Sequence, residues 1–247
     1  MRERLGPADL RLTDEVRSGP VPRPGGGIRW LVRLGPSDER AYAAPLRIAG
    51  RRVAAASGPH AHANRILGWR DGLPQLEPWP VARERWRADA RRLALRSRVV
   101  ATADVRDCYA SIGPVAVQER LQAIGVAEPL VGWMRAWLRM FADRGVRGLP
   151  VGPTPSAVLA DAVLAIGDHA LRSAGVAHVR WVDDVAIFAS GRREAAAALD
   201  VLLTAWGAAG LEPNEAKVRL HADPVGWLLD GASRHSWTSA RCDNPAS

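Results

Sequence analysis

The amino-acid sequence predicts an α+β fold centred on a split βαβ unit, an antiparallel sheet with helices on one face. Three observations lead there. Short apolar runs at 98–105, 177–182, 185–189 and 218–221 have the length and composition of strands. Helical stretches separate the first run from the second and the third from the fourth, whereas only Asp183-Asp184 separates the second from the third. At 247 residues the chain is long enough to bury a core around such a sheet.

Residues 1–24 are polar and carry Pro20, Pro22 and Pro24, which suits a short helix and an extended linker, and Gly25-Gly26-Gly27 signals a turn. Residues 28–34 alternate apolar residues with arginine as a partly exposed strand does, and a second short strand at 52–55 is expected to pair with it. Residues 82–97 suit a helix with a basic face, a pattern that more often marks a solvated surface than a phosphate site. After the strand at 98–105, a helix starts at Pro114 behind Gly113 and stops at Gly125. A second covers 128–142. Thr154-Pro155 opens a third, running to Ser173 before Gly175. Next come the hairpin, an Ala-rich helix at 192–208 ended near Gly210, and the strand at 218–221. The expected organisation is a basic N-terminal region over 1–97, a catalytic domain over 98–224 and a short tail over 225–247.

The net charge of +8 is unevenly distributed: residues 1–100 carry +10 and the remainder −2. A basic flank beside an acidic centre suits an enzyme that grips phosphates and also holds cations. Arginine-rich composition has other origins, so charge alone does not establish nucleic-acid binding. Of 34 basic residues only Lys217 is lysine, and an ammonium can give up its proton where a guanidinium cannot. No run of about 18 apolar residues is present, and Met1-Arg2-Glu3-Arg4 leads into no apolar core. Two cysteines, Cys108 and Cys242, make no disulfide framework, and Cys108 sits in an apolar stretch that suits a reduced thiol. The expected location is cytoplasmic.

Asp183 and Asp184 are flanked on both sides by apolar residues, from Arg180-Trp181-Val182 to Val185-Ala186-Ile187-Phe188. Adjacent carboxylates between buried strands repel one another and are costly to desolvate. A polar hairpin turn is the plain reading. A hard divalent cation is the other way to make the cluster tolerable, and oxygen-only ligands favour Mg²⁺, with Mn²⁺ as substitute. In a split βαβ sheet the first strand neighbours the central hairpin, so Asp104 is expected to join the pair.

The motifs then become specific. Val21-Pro22-Arg23-Pro24-Gly25-Gly26-Gly27-Ile28-Arg29 resembles an early fingers motif, and Ala103-Asp104-Val105-Arg106-Asp107-Cys108-Tyr109 the first palm motif. Gly148-Leu149-Pro150-Val151-Gly152-Pro153-Thr154-Pro155-Ser156 resembles a template-and-nucleotide motif. Trp181-Val182-Asp183-Asp184 stands where an aromatic-x-Asp-Asp is expected, and Gly210-Leu211-Glu212-Pro213-Asn214-Glu215-Ala216-Lys217 matches Gly-Leu-x-x-Asn-x-x-Lys. Together, from Pro22 to Lys217, they resemble the bacterial reverse transcriptases, the group of retron, group II intron and phage-defence enzymes.

That resemblance implies a fingers–palm polymerase adding dNTPs to a primer 3′-hydroxyl on an RNA template by a two-metal mechanism. Untemplated or protein-primed DNA synthesis is an alternative, and a catalytically silent nucleic-acid-binding relative is another. It implies metal positions at Asp104, Val105, Asp183 and Asp184. Tyr109 is implied to lie under the sugar and exclude a 2′-hydroxyl, Arg29 to reach the triphosphate with bidentate bonds, and Gly148 and Gly152 to let the backbone approach template and nucleotide. Lys217 is implied to protonate departing pyrophosphate. The sequence departs from the family pattern at Val151, often glutamine, and at Trp181, commonly Tyr or Phe. Val225-Gly226-Trp227-Leu228-Leu229 echoes the primer grip only weakly. The residues from 230 to 247 are too few for the usual multi-helix thumb, so a helper subunit or structured noncoding RNA is an expected partner.

Overall fold

The structure is a computed structural model and describes residues 16–22 and 28–234. The expected N-terminal helix lies outside them, as do the glycine turn at 25–27 and the tail beyond 234.

The centre is a four-stranded antiparallel sheet of β5 (Val99–Ala103), β6 (Ala177–Trp181), β7 (Asp184–Ala189) and β8 (Arg219–His221), in the order β6-β7-β5-β8. This is the split βαβ arrangement: β5 lies between β7 and β8, and β6 and β7 form the hairpin. Alternation sends the side chains of β5 and β7 to two faces. Val99, Ala101, Ala103, Val185, Ile187 and Ala189 join the main core, while Val100, Ala186 and Phe188 join a smaller cluster on the other face.

The main core is helical. α6 (Thr154–Ser173) is buried on nearly every side, because Val158, Leu159, Ala162, Val163, Leu164, Ala165 and Leu171 find neighbours all round the helix. Packed against it are α1 (Pro36–Ala56), α4 (Pro114–Ala123) and α7 (Arg192–Ala208), with α5 (Glu128–Ala142) closing the far side. In α5, Val131, Met134, Trp137, Leu138 and Phe141 recur at helical spacing and are buried, and Tyr42 of α1 packs edge-on against Phe141. On the opposite face lie α2 (Trp79–Ala94) and α8 (Pro224–Arg234), the latter seating Trp227 against Phe188 and Trp86. Helices therefore reach the second face as well as the expected one.

Three local expectations need correction. The stretch at 52–55 is no strand but the end of α1. Tyr42, Leu46, Ala49 and Val53 recur at a 3.6-residue period and turn inward, with Pro45 accommodated inside the helix. The partner of β2 (Ile28–Arg33) is instead β1 (Arg17–Pro22), in the segment expected to be a linker. Prolines at 20 and 22 are tolerated because this two-stranded ribbon leaves an edge free of ladder bonding. The third concerns the Asp-Asp hairpin: its two turn residues are Val182 and Asp183, while Asp184 pairs with Trp181 as the first residue of β7.

A hairpin not anticipated from the sequence joins β3 (Ile66–Arg70) to β4 (Leu73–Leu76). Its turn is Asp71-Gly72 with both φ angles positive, +51° and +84°, as a type I′ turn requires. The basic face of α2 is partly neutralised: Arg87 pairs with Glu84, Arg92 with Asp89, and Arg85 with Glu77. That favours the solvated-surface reading of its charge. No helix among the described residues is long and apolar enough to cross a membrane.

Candidate metal centre

β5 delivers Asp104 one residue beyond its last paired residue, and the β6–β7 hairpin delivers Asp183 and Asp184 at its tip. β5 runs antiparallel beside β7 with Ala103 opposite Val185, so the end of one strand and the start of the other coincide in space. One carboxylate oxygen from each of Asp104, Asp183 and Asp184 lies within 4.8 Å of the other two. Asp104 is 4% exposed. Oδ2 of Asp184 is buried and has no hydrogen-bond partner among the described residues.

The electrostatic strain is evident. Burial pushes the Asp183 carboxyl up to about 6, Asp104 adding to the effect while Lys217 and Arg29 oppose it. Burial and then Asp183 push Asp184 up to about 8, with Lys217 opposing. Three carboxylates this close cannot all stay charged without compensating positive charge. Lys217 supplies some of it, its Nζ 2.7 Å from Asp104 Oδ2 and 3.5 Å from Asp184 Oδ1. Burial would weaken the ammonium's hold on its proton, but Asp184 and Asp104 more than reverse this.

Residues 212–217 are fastened along the end of β5. Arg106 N–H donates to the Glu212 carbonyl at 2.8 Å, Val105 bridges Pro213, and Asn214 N–H donates to the Asp104 carbonyl at 2.7 Å. Asn214 Nδ2 also donates to Asp104 Oδ1 at 3.1 Å. The turn Glu215–Lys217 is a 3₁₀ helix, in which residues three apart eclipse, so Asn214 and Lys217 present side chains to the same carboxylate. This gives the Asn-x-x-Lys spacing its physical sense. Asn214 was not singled out from the sequence as a site residue, although the motif contained it.

Among the other expected residues, Val105 turns its side chain into the core, leaving only its main-chain carbonyl as a potential ligand. Cys108 is a buried free thiol, with burial raising its pKa well above the usual range. Tyr109 comes next in α3 (Cys108–Ser111), half-buried, with burial raising its phenol. Arg29 is exposed on β2, near enough for its charge to act on Asp183 and Tyr109.

Gly148 and Gly152 each face the chain's own backbone. A Cβ on Gly148, at φ +66°, would meet the Tyr109 carbonyl at 2.3 Å and the Ala110 carbonyl at 2.6 Å. One on Gly152, at φ +127°, would meet the Val32 carbonyl at 2.4 Å. These approaches fasten the 148–153 loop to its neighbours. Leu149 N–H donates to the Tyr109 carbonyl at 2.8 Å, and Val32 N–H to the Val151 carbonyl at 2.7 Å. Glu39 Oε1 accepts the Thr154 N–H at 2.9 Å, tying α1 to the start of α6. β2, Tyr109 and the aspartates are thereby held in one frame.

A profile for the reverse transcriptase (RNA-dependent DNA polymerase) family matches residues 64–228, about two thirds of the sequence and all three aspartates. The chain belongs to this family. Among solved structures, the reverse transcriptase chain is similar to apo telomerase from Candida Tropicalis truncated from its C-terminal domain. The TM-score is 0.51 at 10% identity, over 83% of this chain and 49% of the telomerase chain, so this chain spans about half the length of that one and the likeness concerns the fold. No curated protein matches the sequence.

The reverse transcriptase fold also contains a cluster that sequence reasoning passed over. Arg180 is 1% exposed and is paired with Asp161 and Asp168, both buried on α6. A buried arginine just before the Asp-Asp pair, with aspartates seven residues apart on an apolar helix, was a legible signal, since unpaired charges do not stay buried.

Proposed function

We propose that the chain is a reverse transcriptase of the bacterial type, extending a primer 3′-hydroxyl with dNTPs on an RNA template, with two Mg²⁺ ions held by Asp104, Asp183 and Asp184. The observation carrying this reading is the meeting of these three carboxylates within 4.8 Å, one of them with a buried oxygen that has no hydrogen-bond partner among the described residues. An oxygen-only set with surplus negative charge fits a hard divalent cation. Mn²⁺ is the expected substitute, and the Val105 carbonyl the expected further ligand. When bound, such ions lower the pKa of a hydroxyl and neutralise charge on departing phosphate oxygens.

The remaining chemistry belongs to side chains. Asn214 orients Asp104 from behind through its amide. Lys217 donates a proton to an oxygen of the leaving pyrophosphate, a task for which a guanidinium is unsuited. Arg29 binds the triphosphate, and the Tyr109 ring closes the space a 2′-hydroxyl would need. The functional units are the basic fingers over 1–97, the palm over 98–224 and the tail from 225, with primer, template, dNTPs and a helper subunit or structured noncoding RNA as partners, in the cytoplasm.

The test is incorporation of labelled dNTPs with Mg²⁺ on primed poly(rA) and without template. Template-dependent product is expected, and Asp183→Ala is expected to abolish it while leaving circular dichroism unchanged. Product without template would favour untemplated synthesis. Synthesis that survives Asp183→Ala would overturn the metal assignment.

A further inference from the structure

The Arg180 guanidinium does more than neutralise buried acids. Nε donates to both oxygens of Asp168 at 3.0 and 2.9 Å, and Nη2 lies 2.8 Å from Asp168 Oδ2. Nη1 lies 2.9 Å from Asp161 Oδ1 and donates to the Val182 carbonyl at 2.7 Å. Asp161 in turn accepts from the Ser57 hydroxyl. The Arg180 main chain is held as well: its N–H donates to the His60 carbonyl at 2.8 Å and its carbonyl accepts from His62 N–H at 3.1 Å. The arginine is thus fixed to α6 and to the 57–62 segment.

Charge balance does not call for the carbonyl, because the carboxylates of Asp161 and Asp168 already exceed the single positive charge. The additional bond goes to the carbonyl of the peptide joining Val182 to Asp183, the central peptide of the turn. Rotation of that peptide interconverts turn types and re-aims the residues on either side. Here Val182 has φ +53° while Asp183 does not have a positive φ, the pattern of a type II′ turn, which favours glycine at its first position. A β-branched residue there resists the conformation. Something must hold it, and Arg180 is in contact with the peptide concerned.

We infer that Arg180 is a positioning residue: by gripping the Val182 carbonyl it sets the central peptide of the turn and so aims the Asp183 carboxylate at Asp104. This rests on the reading of the three aspartates as the cation site. α6 is the anchor, and the buried pair of aspartates is the rigid link between anchor and turn. Lysine in place of Arg180 keeps the charge but loses the planar fork that serves two carboxylates and a carbonyl at once.

The experiment is a Mn²⁺ titration of the full chain, read by electron paramagnetic resonance of the free ion, alongside dNTP kinetics. Arg180→Lys is expected to weaken Mn²⁺ binding by about 10- to 100-fold, the usual effect of losing a group that orients a ligand, and to lower kcat with little change in KM for dNTP. Adding Val182→Gly to it is expected to restore most of the affinity, because glycine adopts the turn without assistance. A purely structural arginine would change thermal stability alone, so wild-type Mn²⁺ affinity in folded Arg180→Lys overturns the inference. Failure of Val182→Gly to restore binding overturns it too. Should Arg180→Lys not fold, Val182→Gly alone decides: retained Mn²⁺ affinity supports the assignment, and lost affinity refutes it. Wild-type protein that binds Mn²⁺ through Asp183 yet makes no DNA would sink the polymerase reading and leave this inference standing. Absence of any Asp183-dependent Mn²⁺ site would sink both the cation reading and the inference.

Discussion

Gly148→Ala tests how the 148–153 loop is built. At φ +66° an alanine pays the left-handed penalty of about 1–2 kcal/mol. Its Cβ would also stand 2.3 Å from the Tyr109 carbonyl oxygen and 2.6 Å from that of Ala110, both backbone atoms that no rotamer change can remove. Real Cβ contacts begin near 3.0 Å, so either the 148–153 loop or the Tyr109–Ala110 backbone must shift by most of an ångström. That shift strains the Leu149 N–H bond to the Tyr109 carbonyl, now 2.8 Å long and worth about 1 kcal/mol. Together the terms predict a loss of about 2–4 kcal/mol in unfolding free energy, the range of the larger single-residue effects. Urea denaturation measures it. Because Tyr109 moves with the loop, discrimination between dNTP and rNTP should fall as well, and a misplacement of about 1 Å can cost about 100-fold in rate. A variant within about 0.5 kcal/mol of wild type, the range of an ordinary surface substitution, with unchanged sugar discrimination would refute the argument that the glycine is demanded by backbone proximity.

Other predictions concern charge and geometry at the same centre. Lys217→Met should lower kcat by about 10²-fold or more through loss of the proton donor, measured in single-turnover incorporation. The same substitution leaves Asp104 and Asp184 without their ammonium, so added Mg²⁺ should raise its Tm more than that of wild type. Asp184, raised to about 8 by burial and Asp183, takes up protons in the folded state at pH values where the unfolded chain does not. In EDTA, stability should therefore fall as pH rises from about 4, where the unfolded carboxyl titrates, to about 8, where the folded one does. Asp184→Asn or saturating Mg²⁺ should flatten that slope, and a slope indifferent to both would reject the burial argument. Tyr109→Ala should admit ribonucleotides at an increased rate relative to dNTPs, read by competing incorporation. Gly152→Ala, whose Cβ would strike the Val32 carbonyl at 2.4 Å, should displace β2 and raise the KM for dNTP through Arg29 while leaving Mn²⁺ affinity unchanged.

Much of this molecule was legible along the chain. Helices α4, α5, α6 and α7 follow from apolar residues at helical spacing, with Pro114, Thr154 and Pro155 marking starts and Gly125, Gly175 and Gly210 marking stops. The palm strands follow from short apolar runs, and the three aspartates from their placement at strand ends. The misreadings share a cause, which is that local pattern is weak when the chain is arginine-rich. Residues 52–55 taken alone suit a short strand, yet the longer register of Tyr42, Leu46, Ala49 and Val53 is helical and prevails because it buries more surface. The Asp71-Gly72 turn was present in the sequence and went unread.

What the sequence determined by itself was the inventory: which stretches fold into helix or strand, and which acids and single lysine stand in the motifs. Tertiary structure decided the relations among them, because these depend on contacts between residues far apart along the chain. Lys217 and Asn214 meeting on Asp104, α6 gripping the turn through Arg180, and Gly148 pressed against Tyr109 are all consequences of packing. A hydrophobic period reports which face of an element is buried; it holds no record of the partner across the interface, and the angle of a carboxylate is set by that partner.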